Sequence, residues 1–131
     1  MAHYAFLDDN NIVTQVIVGR DENEVIDGIT DWESHYAEVF GQTCKRTSYN
    51  TYSNLHMHGG TPFRGNYASV GFSYDPEKDV FIPNKPYKAW VFNEEMLIWE
   101  APIEAPKDEF IYKWDNDTDS WIVDEVACML K

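Results

Sequence analysis

The sequence is poor in basic side chains and in cysteine. It has 10 Lys and Arg against 23 Asp and Glu, which gives a formal net charge of -13 at pH 7. This charge repels nucleic-acid phosphates, so we exclude a general role in nucleic-acid binding. The two cysteines, Cys44 and Cys128, are far apart and have no metal-ligand spacing. We therefore expect two reduced thiols.

Long apolar runs are also lacking. No stretch is long enough to cross a bilayer, and the opening Met-Ala-His-Tyr-Ala has neither the basic start nor the apolar run of a secretory signal. We expect a soluble protein that is made in the cytoplasm. A chain of 131 residues is long enough for one compact core, so we expect a single domain over residues 1–131.

Motifs of catalysis are absent as well. The sequence has no Gly-x-Ser-x-Gly elbow and no glycine-rich phosphate loop. The adjacent acids at 8–9 and 94–95 are typical of solvated turns. We predict no enzymatic activity and no cofactor. The alternative is a small hydrolase whose site is assembled only in three dimensions.

Neither of two groups of metal-ligating residue types predicts a site. His56 and His58 would need His3 or His35 and a further ligand, because zinc takes three or four ligands at fixed positions. Residues 115–119 open like a calcium loop, but the glycine and the bidentate glutamate that such a loop needs are missing further on.

What the sequence does have is an aromatic repeat. Residues 74–81, 92–99 and 114–121 each read as aromatic strand, acidic turn, aromatic strand, and in each copy an Asp or Asn is followed six positions later by Phe or Trp. Asp and Asn favour tight turns, whereas the flanking aromatic and branched residues favour extended chain. Each copy therefore predicts a β-hairpin. The alternative is one ordinary antiparallel sheet.

The N-terminal half shows other patterns. Residues 4–18 predict a further hairpin, whose second strand, 12–18, is expected to be covered on both faces. Between 21 and 40, apolar residues recur every three or four positions, which predicts a short helix that starts at Asp31 or Trp32 with Thr30 or Asp31 as its N-cap.

Together these patterns predict a mainly β protein: antiparallel sheets of aromatic-rich hairpins, arranged as a sandwich or as stacked hairpins, with one short helix and a long central loop. Residues 1–72 hold the N-terminal hairpin, the helix and the loop. Residues 73–123 hold the three aromatic hairpins. Residues 124–131 form a tail with at most one helical turn, from Val126 to Leu130.

The long loop between Gly41 and Gly71 is the predicted contact surface, because basic side chains concentrate there in an otherwise acidic chain. Arg and Tyr are also common anchors of interfaces. The predicted partner-binding residues are Lys45, Arg46, Tyr49, Tyr52, Phe63, Arg64 and Tyr67. The alternative is that the arginines form internal ion pairs and that the hairpin tips at Glu94 and Asp117 make the contact.

Several stretches carry a family resemblance. They include Met-Ala-His-Tyr-Ala-Phe-Leu-Asp-Asp at the start, Cys-Lys-Arg-Thr-Ser-Tyr-Asn-Thr at 44–51, Gly-Gly-Thr-Pro-Phe-Arg-Gly-Asn-Tyr-Ala at 59–68 and Phe-Ile-Pro-Asn-Lys-Pro-Tyr-Lys-Ala-Trp at 81–90. Nearly the whole chain resembles a family of small virion-associated proteins of tailed bacteriophages that infect marine bacteria and cyanobacteria. The resemblance implies a phage origin and supplies no catalytic or ligand-binding residues. The family usually has a double proline where this chain has Pro83-Asn84-Lys85-Pro86.

We therefore expect a structural protein of the virion, made in the host cytoplasm, most simply a capsid decoration or cement subunit that stabilises the shell. Its partners would be capsid or other virion proteins, with a homo-oligomer as a further option and with neither nucleic acid nor membrane. The alternatives are a small tail, neck or fibre-attachment protein, and a soluble phage protein that binds a host factor.

The first prediction concerns metal. Adding a chelator to the purified protein is expected to leave its melting temperature unchanged, because no ligand set is complete. Differential scanning calorimetry with and without chelator checks this. A clear drop would mean that the histidine pair or the acidic tip at 115–119 holds a structural ion.

Overall fold

The computed structural model describes residues 2–129, and the predicted mainly β fold class is confirmed. The strands form one three-stranded sheet and four two-stranded sheets. In chain order the elements are β1 (Ala2–Leu7), β2 (Val13–Gly19), α1 (Trp32–Phe40), β3 (Thr43–Thr47), β4 (Thr51–Tyr52), β5 (Leu55–His56), β6 (Ser73–Asp75), β7 (Val80–Ile82), β8 (Val91–Asn93), β9 (Ile98–Glu100), β10 (Tyr112–Asp115), β11 (Ser120–Val123) and α2 (Glu125–Met129).

Two compact units divide the chain. The first consists of Met1–Asn84 and Asn93–Ile98, and the second of Lys85–Phe92 and Trp99–Lys131. The first unit contains the three-stranded sheet, α1 and the hairpins β4–β5 and β6–β7. The second contains the hairpin β10–β11 and α2.

The three-stranded sheet has the order β2-β1-β3, and both of its pairings are antiparallel. Successive side chains of the central strand β1 point to opposite faces, and each face packs on its own cluster. One cluster contains Ala2, Tyr4, Phe6, Trp32 and Cys44, with Tyr36 and Ala37 of α1 packed against it. The other contains Ala5, Leu7, Val13, Ala68, Tyr74 and Phe81. Both faces of β1 are thus covered. Strand β2, which the sequence predicts to be covered on both faces, is covered only in part, because Thr14, Gln15 and Val18 are exposed.

Helix α1 begins where the sequence predicts. Asp31 is its N-cap, and the carboxylate accepts the N–H of Ser34 at 3.1 Å. Gly41 ends it in the left-handed conformation, and its N–H donates to the carbonyl of Ala37 at 2.9 Å. Helix α2 covers Glu125–Met129; Leu130, where the predicted last turn ends, lies outside the described residues. Within 2–129 no helix is long and apolar enough to cross a membrane.

The three aromatic hairpins share one turn. The side chains of Asp75, Asn93 and Asp115 each accept backbone N–H groups from the following turn. Four residues later the backbone is left-handed, at Asp79, Leu97 and Asp119. The paired rings, Tyr74 with Phe81, Phe92 with Trp99 and Trp114 with Trp121, have centroids 5.2–5.3 Å apart. The repeat is therefore structural, and each hairpin is a separate two-stranded sheet.

The central segment is more regular than the predicted long loop. Its first part, Thr43–Thr47, is strand β3 and pairs with β1. The sequence hides this strand because two of its five side chains are basic, and both are half-buried by contacts with distant residues. Residue Ile12 also differs, since β2 begins one residue later and Ile12 forms only an isolated bridge with Ser73.

Asn66 holds three parts of the first unit together. Its side chain is buried, with the residue 1% exposed. The amide Nδ2 donates to the carbonyls of Phe81 at 2.9 Å and Leu97 at 2.8 Å, and Oδ1 accepts the N–H of Ser53 at 2.8 Å. Both amide hydrogens are thus used, and the buried group has no unpaired donor.

We predict that Asn66→Ala lowers the free energy of unfolding by about 3 kcal/mol, because it leaves buried backbone groups on three segments without partners. Urea denaturation checks this, with Asn23→Ala as the control. The Asn23 side chain is exposed and has no hydrogen bond in the described part of the chain, so this change should cost less than about 0.5 kcal/mol. Equal losses in the two variants would contradict the role assigned to Asn66.

Candidate partner-binding site

The seven predicted contact residues do not share one surface. The ammonium of Lys45 lies 5.6 Å from the ring centroid of Tyr74, and the half-buried ring of Tyr67 packs edge-on against His3 at 5.6 Å. Burial raises the pKa of the Tyr67 hydroxyl. These side chains therefore pack within the first unit, and only Tyr49 and Tyr52 are exposed, at 58% and 69%.

Both arginines contact the ring of Phe63. The guanidinium carbon of Arg46 is 4.0 Å from the ring centroid, and that of Arg64 is 4.8 Å away. Cations over an aromatic face are attracted by the ring quadrupole. Arg46 also lies 3.7 Å from a carboxylate oxygen of Glu22. Phe63 is thus engaged by side chains of its own chain.

Arg64 forms internal ion pairs, as the alternative reading of the loop describes. Its Nη1 is 2.6 Å from Glu33 and its Nε is 2.9 Å from Asp79, and its side chain is only 12% exposed. The Tyr74 hydroxyl also donates to Asp79. Arg64 is therefore not available as an interface anchor, because removing it from these carboxylates would leave charges without partners.

Asp79 is held in its ionised form by these neighbours. Burial alone would raise the pKa of its carboxyl, but the Tyr74 hydroxyl and the Arg64 guanidinium outweigh burial and lower it. Because the folded-state pKa is depressed, the carboxylate stabilises the fold above the unfolded-state value of about 3.9. That contribution is lost as the pH falls through the lower folded-state pKa.

Three of the exposed apolar side chains of the central segment lie on or next to hairpin β4–β5, and Tyr49 and Val70 lie outside it. Tyr52 and Leu55 are directly opposite in register, so their side chains share a face. The N–H of Met57 donates to the carbonyl of Asn50 at 2.7 Å, which continues the pairing and puts Met57 on the same face. Tyr52, Leu55 and Met57 are 69%, 60% and 66% exposed. We call these three residues the apolar ridge.

The opposite face of this hairpin is buried, so the ridge has a fixed base. Thr51 is 1% exposed and accepts the N–H of Phe63 through Oγ1 at 3.0 Å and that of Tyr67 through its carbonyl at 2.8 Å. The Ser53 hydroxyl donates to the carbonyl of Met96 at 3.0 Å, and the Asn54 side chain to that of Glu95 at 3.1 Å. A surface fixed in this way loses little conformational entropy on binding.

A charge pattern in the sequence also marks this region. No Asp or Glu occurs from residue 39 to residue 74, although the chain has 23 of them. The ridge lies near the middle of this acid-free segment. Interface cores are depleted in charged side chains. The absence of acid was therefore the better signal, since the basic side chains of the same segment turn inward.

The histidines and the acidic tip have other roles. The N–H of His58 donates to Nδ1 of His56 at 3.1 Å. At the tip, the Asp115 carboxylate accepts the hydroxyl of Thr118 at 2.6 Å and the N–H of Asp117 at 3.3 Å. Among residues 2–129, no three His, Cys, Asp or Glu side chains are grouped closely enough to hold a metal ion.

Cys44 is a poor candidate for a nucleophile. It lies on β3 in the buried cluster beneath α1, and burial raises the pKa of its thiol to about 12. The thiolate, which is the reactive form, is then scarcely populated at neutral pH.

The comparisons with known proteins add no relative. No protein-family model matches the chain, and no curated protein or solved structure is significantly similar to it.

We predict that Arg64→Ala destabilises the protein by about 3 kcal/mol, because Glu33 and Asp79 lose the cation between them in a half-buried setting. Chemical denaturation measures the loss. Lys78→Ala is the matched control, since Lys78 pairs with Glu94 at 3.4 Å near the surface and its loss should cost under about 1 kcal/mol. A near-neutral Arg64→Ala would mean that the arginine is free to serve a partner.

Proposed function

We propose that this chain is a structural protein of a bacteriophage virion, a capsid decoration or cement subunit that binds the outer shell and stabilises it. The observation that carries the proposal is the apolar ridge. Three large apolar side chains stand exposed together on a backbone that is fixed from below. Exposed apolar groups of this kind are typical of contact surfaces.

The charge distribution supports the same function. With a net charge of -13, most of the surface repels further copies and keeps free subunits soluble. The ridge segment itself carries no acid, and Glu95 is placed against its turn by the bond from the Asn54 side chain. The ridge therefore adds less like-charge repulsion toward an acidic shell than the rest of the surface does. The phage origin rests on the resemblance of nearly the whole chain to virion-associated phage proteins.

A tail, neck or fibre-attachment protein is the second candidate, because the same ridge would serve any particle surface. Copy number separates the two. Quantitative mass spectrometry of virions of the encoding phage should find many copies per particle for a decoration subunit. A few copies would favour the tail or neck. Finding none would overturn a virion role and favour a protein that binds a host factor.

We predict that the triple variant Tyr52→Thr, Leu55→Thr, Met57→Thr stays folded but binds at least roughly tenfold more weakly to particles that lack the protein. The reason is that each apolar side chain buried in a contact contributes about 1–2 kcal/mol. Threonine keeps the preference for extended chain. Co-sedimentation with the particles gives the affinity, and circular dichroism checks the fold.

The control is the double variant Val25→Thr, Val39→Thr, which removes two equally exposed apolar side chains outside the ridge. It should bind like the unmodified protein. If the two variants lose the same affinity, apolar exposure in general is responsible and the ridge is not the contact surface.

A further inference from the structure

The two outer edges of the three-stranded sheet differ. On the edge formed by β3, the N–H of Arg46 donates to the carboxylate of Glu33 at 2.6 Å, and the carbonyl of Arg46 accepts Nη1 of Arg64 at 2.9 Å. Two side chains thus take the place of a neighbouring strand. Unpaired edges invite pairing with other chains, and covering them is a common protection.

The same contacts show which main-chain N–H and carbonyl groups of β2 point away from β1. Because the N–H and carbonyl of Arg46 point away from β1, the alternation of an antiparallel ladder turns those of its partner Tyr4 toward β2. Tyr4 is opposite Ile17. The main-chain groups of Ile17 therefore point inward to β1, and those of Val16 and Val18 point outward.

Both ends of the outer edge of β2 are occupied. At the start, Val13 donates to the carbonyl of Phe72 and accepts the N–H of Gly71, both at 2.8 Å. Just beyond the end, Arg20 donates its N–H to the Tyr36 hydroxyl at 3.0 Å and accepts the Tyr4 hydroxyl at 2.7 Å. Val13 and Val16 are three residues apart, yet the main-chain groups of both point away from β1, because the register shifts opposite Phe6 and Leu7.

Between these ends the edge is open. In residues 2–129 the only strand that pairs with β2 is β1, and no side chain bonds the outward groups of Val16 and Val18. The run from Ile12 to Gly19 contains neither a charge nor a proline, the usual protections of an edge. Val18 is also 55% exposed.

One acidic side chain, Glu24, lies at the end of this edge. A hollow of about 270 Å³ lies at its end and is lined by Val18, Gly19, Arg20, Glu24 and Tyr36. Acidic residues also precede and follow β2 in the chain, at 8–9 and at 21–22, but Glu22 lies 3.7 Å from Arg46 on β3. The net charge of -13 nevertheless favours a cationic partner. A strand that approaches this edge is therefore favoured if it carries positive charge at its ends.

We propose that the β2 edge at Val16 and Val18 binds an extended segment of another protein, which joins the sheet as a fourth strand. The segment would have an uncharged run rich in β-branched residues with Lys or Arg at its ends, one of which enters the hollow beside Glu24. Main-chain hydrogen bonds supply affinity in this mode of recognition, and the flanking charges supply specificity.

A second copy of the chain fits this edge less well. Pairing β2 with β2 would bring the acidic segments of two molecules together, and each molecule has a net charge of -13. The proposal uses none of the ridge residues, so it stands apart from the proposed virion contact.

The test uses a labelled peptide with the run Val-Thr-Gln-Val-Ile-Val between two lysines at each end, a copy with glutamates in place of the lysines, and a copy N-methylated on alternate residues. Fluorescence anisotropy should show saturable binding of the lysine peptide and at least roughly tenfold weaker binding of the other two, which lose the charge match or the hydrogen bonds. Hydrogen exchange at Val16 and Val18, fast in the free protein, should slow with the lysine peptide.

Three variants of the protein test the hydrogen bonds and the charge separately. Val18→Pro removes the outward N–H and should lower affinity by roughly tenfold, whereas Val18→Thr keeps it and should bind normally. Glu24→Gln should weaken binding of the lysine peptide by roughly threefold and should slightly strengthen binding of the glutamate peptide, because a like charge is removed.

Three results would overturn the proposal: no saturable binding of the lysine peptide, equal binding of the N-methylated copy, or slow exchange at Val16 and Val18 in the free protein. If that slow exchange depends on protein concentration and accompanies a dimer in sedimentation, the occupant is a second copy. The peptide comparison does not depend on whether Val18→Pro folds.

Discussion

The ion pair between Glu33 and Arg64 is the interaction on which the arrangement of the first unit depends. One oxygen of Glu33, on α1, takes both the Arg46 N–H of β3 and the Arg64 guanidinium, which in turn reaches Asp79 at the tip of β6–β7. Helix, sheet and hairpin therefore meet at one cation. Burying such a charge is costly, and the cost is offset here because Arg64 also donates to the carbonyl of Arg46.

Local signals made much of the fold predictable from the sequence. The hairpin turns follow from Asp and Asn side chains that bond their own following amides, and α1 follows from a cap and an apolar stripe, all within a few residues. Strand β3 was not predictable in this way. Its basic side chains become half-buried only through contacts with Glu22, Phe63 and Tyr74, which no local pattern reveals.

The residues of the candidate site also depend on contacts between distant parts of the chain, which the sequence does not reveal. Charge type alone led to Arg64 as a contact residue, although its carboxylate partners lie 31 and 15 positions away in the chain. The exposure of Tyr52 was predictable as an interface feature, but that of Leu55 and Met57 depends on the pairing of β4 with β5, which puts them on the face opposite the buried Thr51. Two-residue strands carry too little pattern to be recognised from sequence.

The two edges of the sheet differ because side chains bond the main-chain groups of β3 but not those in the middle of β2. To replace a neighbouring strand, side chains must accept the N–H and donate to the carbonyl of the same edge residue. At Arg46, Glu33 accepts the N–H and Arg64 donates to the carbonyl. Beside β2, side chains do this only at Arg20, where the Tyr36 hydroxyl accepts the N–H and the Tyr4 hydroxyl donates to the carbonyl. Val16 and Val18 then depend on water or on another chain for their hydrogen bonds. A segment from another protein can replace that water, and each main-chain hydrogen bond that it forms then adds a modest net stabilisation while its flanking charges supply specificity.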